Sequence, residues 1–448
     1  MHFVQIALFI LLSGASFFLF YKQAKVIYDN IMLGRKEKIH DNPAWGIQQM
    51  LMIAFGQKKM FKITSAALLH LVIYVTFLIT QIELLEVFID GLIGTHRGVY
   101  HFFQDHNWVF FQQLYYLSIN TIEILSLMTF VVTLAFMYRR GILKLPRFNK
   151  PEMMGWPKLD AYLILVFELT LIFCIFSMNI GDAALQLKGT NDHYPALNGG
   201  LFLVSGALAP YFQNLSEGLL IAIERFGWWG HIIMVFVFLN YLPRSKHLHI
   251  MLAFPNTYFT RPEPKGEIVN MPQIMNEVKS MFDDSFVAPE IEGEIKFGAK
   301  DANELSWKNL LDAYTCTECG RCTKECPANQ TGKKLSPRKI MMDTRDRIEE
   351  IGKGIREHGM DFADNKSLLG DYITKEEILA CTSCNACVEE CPVNINPLNI
   401  ILELRRNLIM EQADSPAEWN NVFTNMENNQ APWQFSPEDR LNWVEDLK

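Results

Sequence analysis

The sequence predicts an all-α protein, a bundle of five membrane-crossing helices followed by a helical soluble domain, and three observations predict it. Half of the 448 residues are apolar, yet long apolar runs occur only in the first 250. Charge divides at the same place: residues 1–250 carry 19 Lys and Arg against 15 Asp and Glu, and residues 251–448 carry 22 against 34, within a net charge of −8. The second half shows helical rather than alternating periodicity. Its acidic balance argues against a nucleic-acid partner.

The five candidate spans lie at about residues 3–21, 64–90, 114–138, 159–181 and 226–243. The first lacks a basic leading segment and a small-x-small cleavage site, so it reads as a retained anchor. Lys22, Lys25, Arg35, Lys36, Lys38, Lys58, Lys59 and Lys62 follow span one, and Arg139, Arg140, Lys144, Arg147, Lys150 and Lys158 follow span three. The opposite loops hold only Arg97, Lys188 and Arg225. The positive-inside rule then sets the N-terminus outside, brings span five inward to Arg244 and Lys246, and leaves the second half in the cytoplasm beneath an inner membrane. GGLFLVSGALAP, residues 199–210, is too short to cross and reads as an interfacial or re-entrant element on the outer side.

In the soluble half, CTECGRCTKECP sets Cys316, Cys319, Cys322 and Cys326 at C-x2-C-x2-C-x3-C-P spacing, and CTSCNACVEECP repeats it with Cys381, Cys384, Cys387 and Cys391. This is the ferredoxin pattern for cubane clusters, in which three close thiolates serve one cluster and the fourth serves the other. The expected ligand sets for two [4Fe-4S] clusters are Cys316, Cys319, Cys322 and Cys391, and Cys381, Cys384, Cys387 and Cys326. Structural zinc favours two separated C-x2-C pairs, and a reducing compartment disfavours disulfides. Cys174, alone in span four, reads as a small buried apolar residue. Residues 328–380 exceed what a compact ferredoxin needs. SPRKIMMDTRDRIEEIGKGIREHG, KEEILA and NIILELRRNLIMEQ read as helices, which makes this an α-helical ferredoxin domain.

Histidines mark the membrane half. Imidazoles from two helices grip a b-type haem between them, and His70 in span two is the only span histidine besides His231. His70 lies in the inner half, where His249 is the neighbour able to face it across a haem. In one unbroken helix His231 and His249 share a face and His247 lies nearly opposite, provided that the helix runs through Pro243. Glu123 and Glu168 are mid-span acids, read equally as structurally paired groups or as proton relays to a quinone. No nucleotide motif occurs, neither G-x-G-x-x-G after a strand nor a P-loop.

The span-two and span-five histidines resemble those of the gamma subunit of respiratory nitrate reductase and of heterodisulfide reductase. LPRSKHLHIMLAFPNTYF, WKNLLDAYTCTECGRCTKECPAN and EEILACTSCNACVEECPV resemble heterodisulfide-reductase-related membrane iron-sulfur proteins, in which such a cytochrome is fused to a dicluster domain. The resemblance covers roughly residues 1–415. It implies electron transfer between a cytoplasmic redox subunit, a cysteine-rich-domain protein or a flavoprotein, and membrane menaquinone, through two cubanes and b haem. The domains expected are a five-helix transmembrane cytochrome b bundle (1–250), a linker (251–303), a cytoplasmic dicluster ferredoxin domain (304–412) and a C-terminal tail (413–448), rich in Asn and Trp, that reads equally as a docking segment for a partner or as a tail packed on its own domain. Two departures follow. The gamma subunit's second span-two histidine falls close to Thr80 here, which leaves a second haem on His231 without its partner, since His96, His101 and His106 read as solvated. No adjacent Cys-Cys pair occurs, so a noncubane-cluster domain is expected on another subunit. The competing expectation is a membrane anchor or assembly scaffold with structural clusters.

Overall fold

The computed structural model describes every residue except 1, 192, 195, 196, 198, 199, 290–295, 435 and 448, which places part of the expected linker, two residues of the tail and the leading glycine of residues 199–210 outside the described set. Five helices are long and apolar enough to cross a membrane: His2–Ile31, Thr64–Ile93, Val109–Gly141, Trp156–Lys188 and Glu217–Tyr241. No strand forms among the described residues. All-α is the observed class.

Each span outruns the apolar run that announced it, because a helix ends where its backbone geometry changes and not at the edge of its apolar run. Ser216 accepts from the Leu219 N–H and starts span five nine residues before the apolar stretch. Gly94 and Gly189 close spans two and four in the left-handed conformation. Span one extends ten residues past its expected end, and its last turns carry Ile27 and Ile31 into the core of the soluble domain.

The spans pack as a ring in the order one, two, three, four, five and back to one. Spans four and five approach most closely, since a Cβ on Gly227 would stand 2.4 Å from the Met178 backbone nitrogen. Cys174 is buried at this seam with its sulfur against Gly230, as the apolar reading required. Spans two and five face each other across the ring instead of touching along their length.

The half of the ring away from the cysteine domain is filled by polar groups. Arg97, expected among loop cations, is buried and donates to Asp182 at 2.7 Å, Asn179 at 2.8 Å and the Tyr115 hydroxyl at 3.1 Å. His96, expected in solvent, is tucked between Asp182 at 3.4 Å and Glu224 at 4.0 Å. Burying a guanidinium is tolerable only with such partners. The piece within residues 199–210 forms a one-and-a-half-turn helix, Leu203–Leu208, that does not cross. Glu123 receives its Val204 and Ser205 N–H groups at 2.8 and 3.2 Å and the Ser205 hydroxyl. Glu123 is therefore structurally paired, and Glu168 has no hydrogen bond or ion pair among the described residues.

Helix Trp307–Thr315, helix Pro337–His358 and helix Pro397–Arg406 build the soluble domain around Leu310, Ile340, Ile348, Ile400, Ile401 and Leu404. The predicted helices 336–359 and 375–380 form, and the third ends in a π turn, Asn407–Glu411. The domain is sewn to the ends of spans one and five: Asn30 donates to the Tyr314 hydroxyl, the Arg35 N–H donates to the Leu305 carbonyl while the Arg35 carbonyl accepts from the Trp307 N–H, and Lys246 donates to Glu318. The tail carries helix Ala417–Asn429 on the surface, with Trp419, Val422, Phe423 and Met426 exposed along it.

Candidate functional site

The two cysteine motifs fold alike. Glu318 and Gly320 take left-handed φ values of 55° and 71°, and Ser383 and Asn385 repeat them at 55° and 61° in the equivalent positions. This pair of left-handed residues curls each C-x2-C-x2-C loop so that its sulfurs converge, before short helices Arg321–Lys324 and Ala386–Glu390 carry the chain to the fourth cysteine. Pro327 and Pro392 then turn it away.

The quartets cross between motifs. Cys316, Cys319 and Cys322 line one hollow of about 370 Å3 with Cys391, and Cys381, Cys384 and Cys387 line a second of about 320 Å3 with Cys326. Backbone N–H groups point at the sulfurs, Ser383 to Cys381 at 3.4 Å and Ile395 to Cys391 at 3.3 Å. Among the described residues no disulfide forms, and no three Cys, His, Asp or Glu side chains come close enough to hold a single ion. Four cysteines around each hollow, drawn from two motifs of C-x2-C-x2-C-x3-C-P spacing, suit a cubane cluster. Burial pushes the Cys316 and Cys387 thiols up to about 12 and Cys391 to about 11, with neighbouring sulfurs adding to it. Such sulfurs carry a proton or a metal, and binding metal releases the proton.

The first hollow has cationic walls. Arg321 is buried and donates to the Lys59 and Met60 carbonyls at 3.2–3.4 Å, and Lys59 is buried with Val388 O at 3.2 Å and Asn394 Oδ1 at 3.0 Å. Neither has a carboxylate partner among the described residues. Burial pulls the Lys59 ammonium down to about 8, with the Cys391 sulfur opposing it. A buried unpaired charge is expensive, and four thiolates around a [4Fe-4S] core supply the anion it lacks.

His70 and His249 come together, with Arg321 beside them. The His70 Nδ1 sits 3.2 Å from Gln57 Oε1 and the His249 Nδ1 sits 2.9 Å from the Lys246 carbonyl, so in each ring Nδ1 is engaged and Nε2 is left for a ligand. This is how a metal-bound imidazole is oriented. Around His70, residues 69–75 are half-buried whichever way they face, so this stretch presents no solidly packed side to other helices. These residues fit a b haem.

The unbroken helix that set His231 and His249 on one face does not form. Span five ends at Tyr241, a 3-10 turn Leu242–Arg244 carries Pro243, Ser245 is extended, and a new helix begins at His249. Proline removes a donor and clashes with the preceding turn, which is why the phase is lost there. His247, expected on the opposite side, instead lies with its ring 5.5 Å from that of His249. The break leaves His249 at the start of a separate helix, His249–Tyr258, instead of on a continuation of span five. His231 is buried near Trp228 with an Nδ1 that has no partner, while Thr80 donates to the Phe77 carbonyl of its own helix.

Several residues had no sequence signal. Gln57 is an unremarkable loop amide, Lys246 and Lys59 read only as orienting cations, and Arg321 is the x in a cysteine spacing. The contrast between Arg321 and Ala386 at equivalent motif positions was the one clue available.

A family model for a 4Fe-4S dicluster domain matches residues 315–395. The chain is 27% identical to the probable iron-sulfur-binding oxidoreductase FadF of Bacillus subtilis over 97% of its own length and 60% of that protein's. It is related to the iron-sulfur oxidoreductases. It is 26% identical to the EtfAB:quinone oxidoreductase of Syntrophomonas wolfei, with 98% and 59% covered, and 29% identical to one component of the dihydromethanophenazine:CoB--CoM heterodisulfide reductase of Methanosarcina mazei, with 32% and 36% covered. The chain thus spans about three-fifths of the first two relatives it matches. No solved structure matches it. The chain thus joins five helices long and apolar enough to cross a membrane to a segment that matches a 4Fe-4S dicluster domain.

Proposed function

We propose that this chain passes electrons between a redox partner on the cytoplasmic side and menaquinone in the bilayer. Cys316, Cys319, Cys322 and Cys391 would hold one [4Fe-4S] cluster, Cys381, Cys384, Cys387 and Cys326 the other, and His70 and His249 a b haem. When bound, these groups supply one-electron carriers, which polypeptide alone lacks. The observation that carries the reading is the set of sites in one chain: a quartet with an exposed Cys384, a second quartet whose Cys316 and Cys391 are buried, and His70 and His249 with their Nδ1 atoms engaged. The name of the Syntrophomonas wolfei relative, an EtfAB:quinone oxidoreductase, supports a quinone as one end of the path, and the heterodisulfide reductase relative supports work as one component of a complex.

His70→Ala tests the reading against the scaffold alternative. The purified wild-type chain is expected to show a b-type optical spectrum and roughly eight irons. The variant should keep the iron, lose the haem absorbance and lose reduction of a menaquinone analogue. Undiminished quinone reduction, or a colourless wild-type preparation carrying zinc, refutes the proposal.

A further inference from the structure

The two cysteine hollows are built alike and charged differently. The first is lined by Arg321 and Arg338, with Lys59 and Arg147 close to Cys391 and Cys319. Arg338 is neutralised by Glu152 at 2.7 Å. Glu318, the carboxylate within the first motif, is held by Lys246 at 2.6 Å and Arg345 at 3.1 Å. Arg321 and Lys59 remain as buried positive charges without a carboxylate. The second hollow is lined by no charged residue, only Pro327, Ala328, Leu335, Pro337, Thr382, Asn385, Leu398 and Ile401 besides its sulfurs. Arg405 reaches the Cys381 carbonyl at 2.7 Å from outside that lining, and Glu389 and Glu390 of the second motif are turned to Lys62 and Lys265 at the surface.

We propose that Arg321 and Lys59 bias the direction of electron flow by raising the reduction potential of the Cys316/Cys319/Cys322/Cys391 centre above that of the Cys326/Cys381/Cys384/Cys387 centre. The inference rests on the cluster reading given above. Accepting one electron adds one negative charge to a cluster, and no bond forms or breaks. A fixed cation beside the centre stabilises that added charge. Exposure of Cys384 works the other way, since water also stabilises the reduced state. Arg405, the one cation at the second centre among the described residues, has no carboxylate there either but is only half-buried. Two buried charges outweigh that one and the partial hydration at one sulfur, because the effective dielectric in the buried setting is several-fold below that of water. The centre next to His70 is then the electron sink of the pair, and the one with the exposed cysteine is the point of entry. Arg321 also joins the two parts of the path, since its guanidinium bonds carbonyls immediately before span two while its own motif wraps the cluster site.

The test is an EPR-monitored redox titration of the detergent-solubilised full chain with both clusters loaded. Wild type should show two one-electron steps. Arg321→Gln should lower the higher step by at least tenfold in its reduction equilibrium, about 59 mV for one electron, and leave the lower step unmoved. Arg321→Lys should restore most of the shift, and Lys59→Met should act in the same direction, which keeps the test open if Arg321→Gln loads poorly. Equal movement of both steps, movement of the lower step alone, or no movement in either variant overturns the proposal. A chain without about eight irons would instead overturn the cluster reading beneath it.

Discussion

Lys246→Met examines the joint between the two halves of the molecule. The Lys246 ammonium is buried, 2.6 Å from Glu318, 3.7 Å from Asp160 and 2.7 Å from the Pro157 carbonyl, and it links span four, the chain leaving span five and the first cysteine motif. At 2.6 Å and an effective dielectric of about 20, the gross attraction to Glu318 is about 6 kcal/mol, most of it offset by desolvation of both ions. Removing one member of a buried pair typically costs about 3–5 kcal/mol. Here neither carboxylate is stranded: Glu318 keeps Arg345 at 3.1 Å, and Asp160 keeps the Tyr241 hydroxyl at 2.5 Å and the backbone N–H of residue 246 at 3.2 Å. The expected loss is therefore below that range, about 2–3 kcal/mol. Because the Lys246 carbonyl also orients His249, haem retention should fall in parallel. The assay is reversible unfolding in detergent, followed by helix content and by the b-type absorbance. A loss under about 0.5 kcal/mol with the haem spectrum intact would refute the argument, since it would make the pair equivalent to an exposed one.

Two further outcomes are expected. Cys391→Ser should remove the cluster whose other ligands come from the first motif and leave roughly four irons, so EPR should lose one signal, and loss of the second-motif signal instead would reverse the ligand sets. Asp364 is held down to about 2 by its two hydrogen bonds to Arg347, at 2.6 and 2.9 Å. A depressed carboxylate stabilises the fold above its unfolded value near 4 and loses that contribution as pH falls toward 2. The stability difference between wild type and Asp364→Asn should thus shrink between about pH 5 and pH 2, as denaturant midpoints would show.

Helix count and helix type were legible because lipid and the helix period impose them locally. Any segment that crosses must satisfy its backbone internally, so apolar length alone announces each span. The cysteine spacing was equally legible, since a cluster demands sulfurs at short, fixed separations. His70 stood out because an imidazole is costly in lipid. The acids were not legible in this way. Glu123 and Glu168 look alike in sequence, yet one receives the N–H groups of helix Leu203–Leu208 and the other has no partner among the described residues. That difference depends on a segment about eighty residues away.

By itself, then, the sequence determined an all-α chain with five spans, two cysteine quartets and a histidine placed where lipid makes imidazole expensive. Only the tertiary structure decided that the break at Pro243 leaves His249 at the start of a separate helix, that Gln57 and Lys246 engage the two Nδ1 atoms, and that Arg321 and Lys59 stand uncompensated beside one cysteine quartet and not the other. The physical reason is range. Hydrophobic length and metal-ligand spacing are set within a few residues along the chain. Electrostatic environment and ring orientation are set by whichever groups folding brings within a few ångströms, and here those groups come from the ends of different spans.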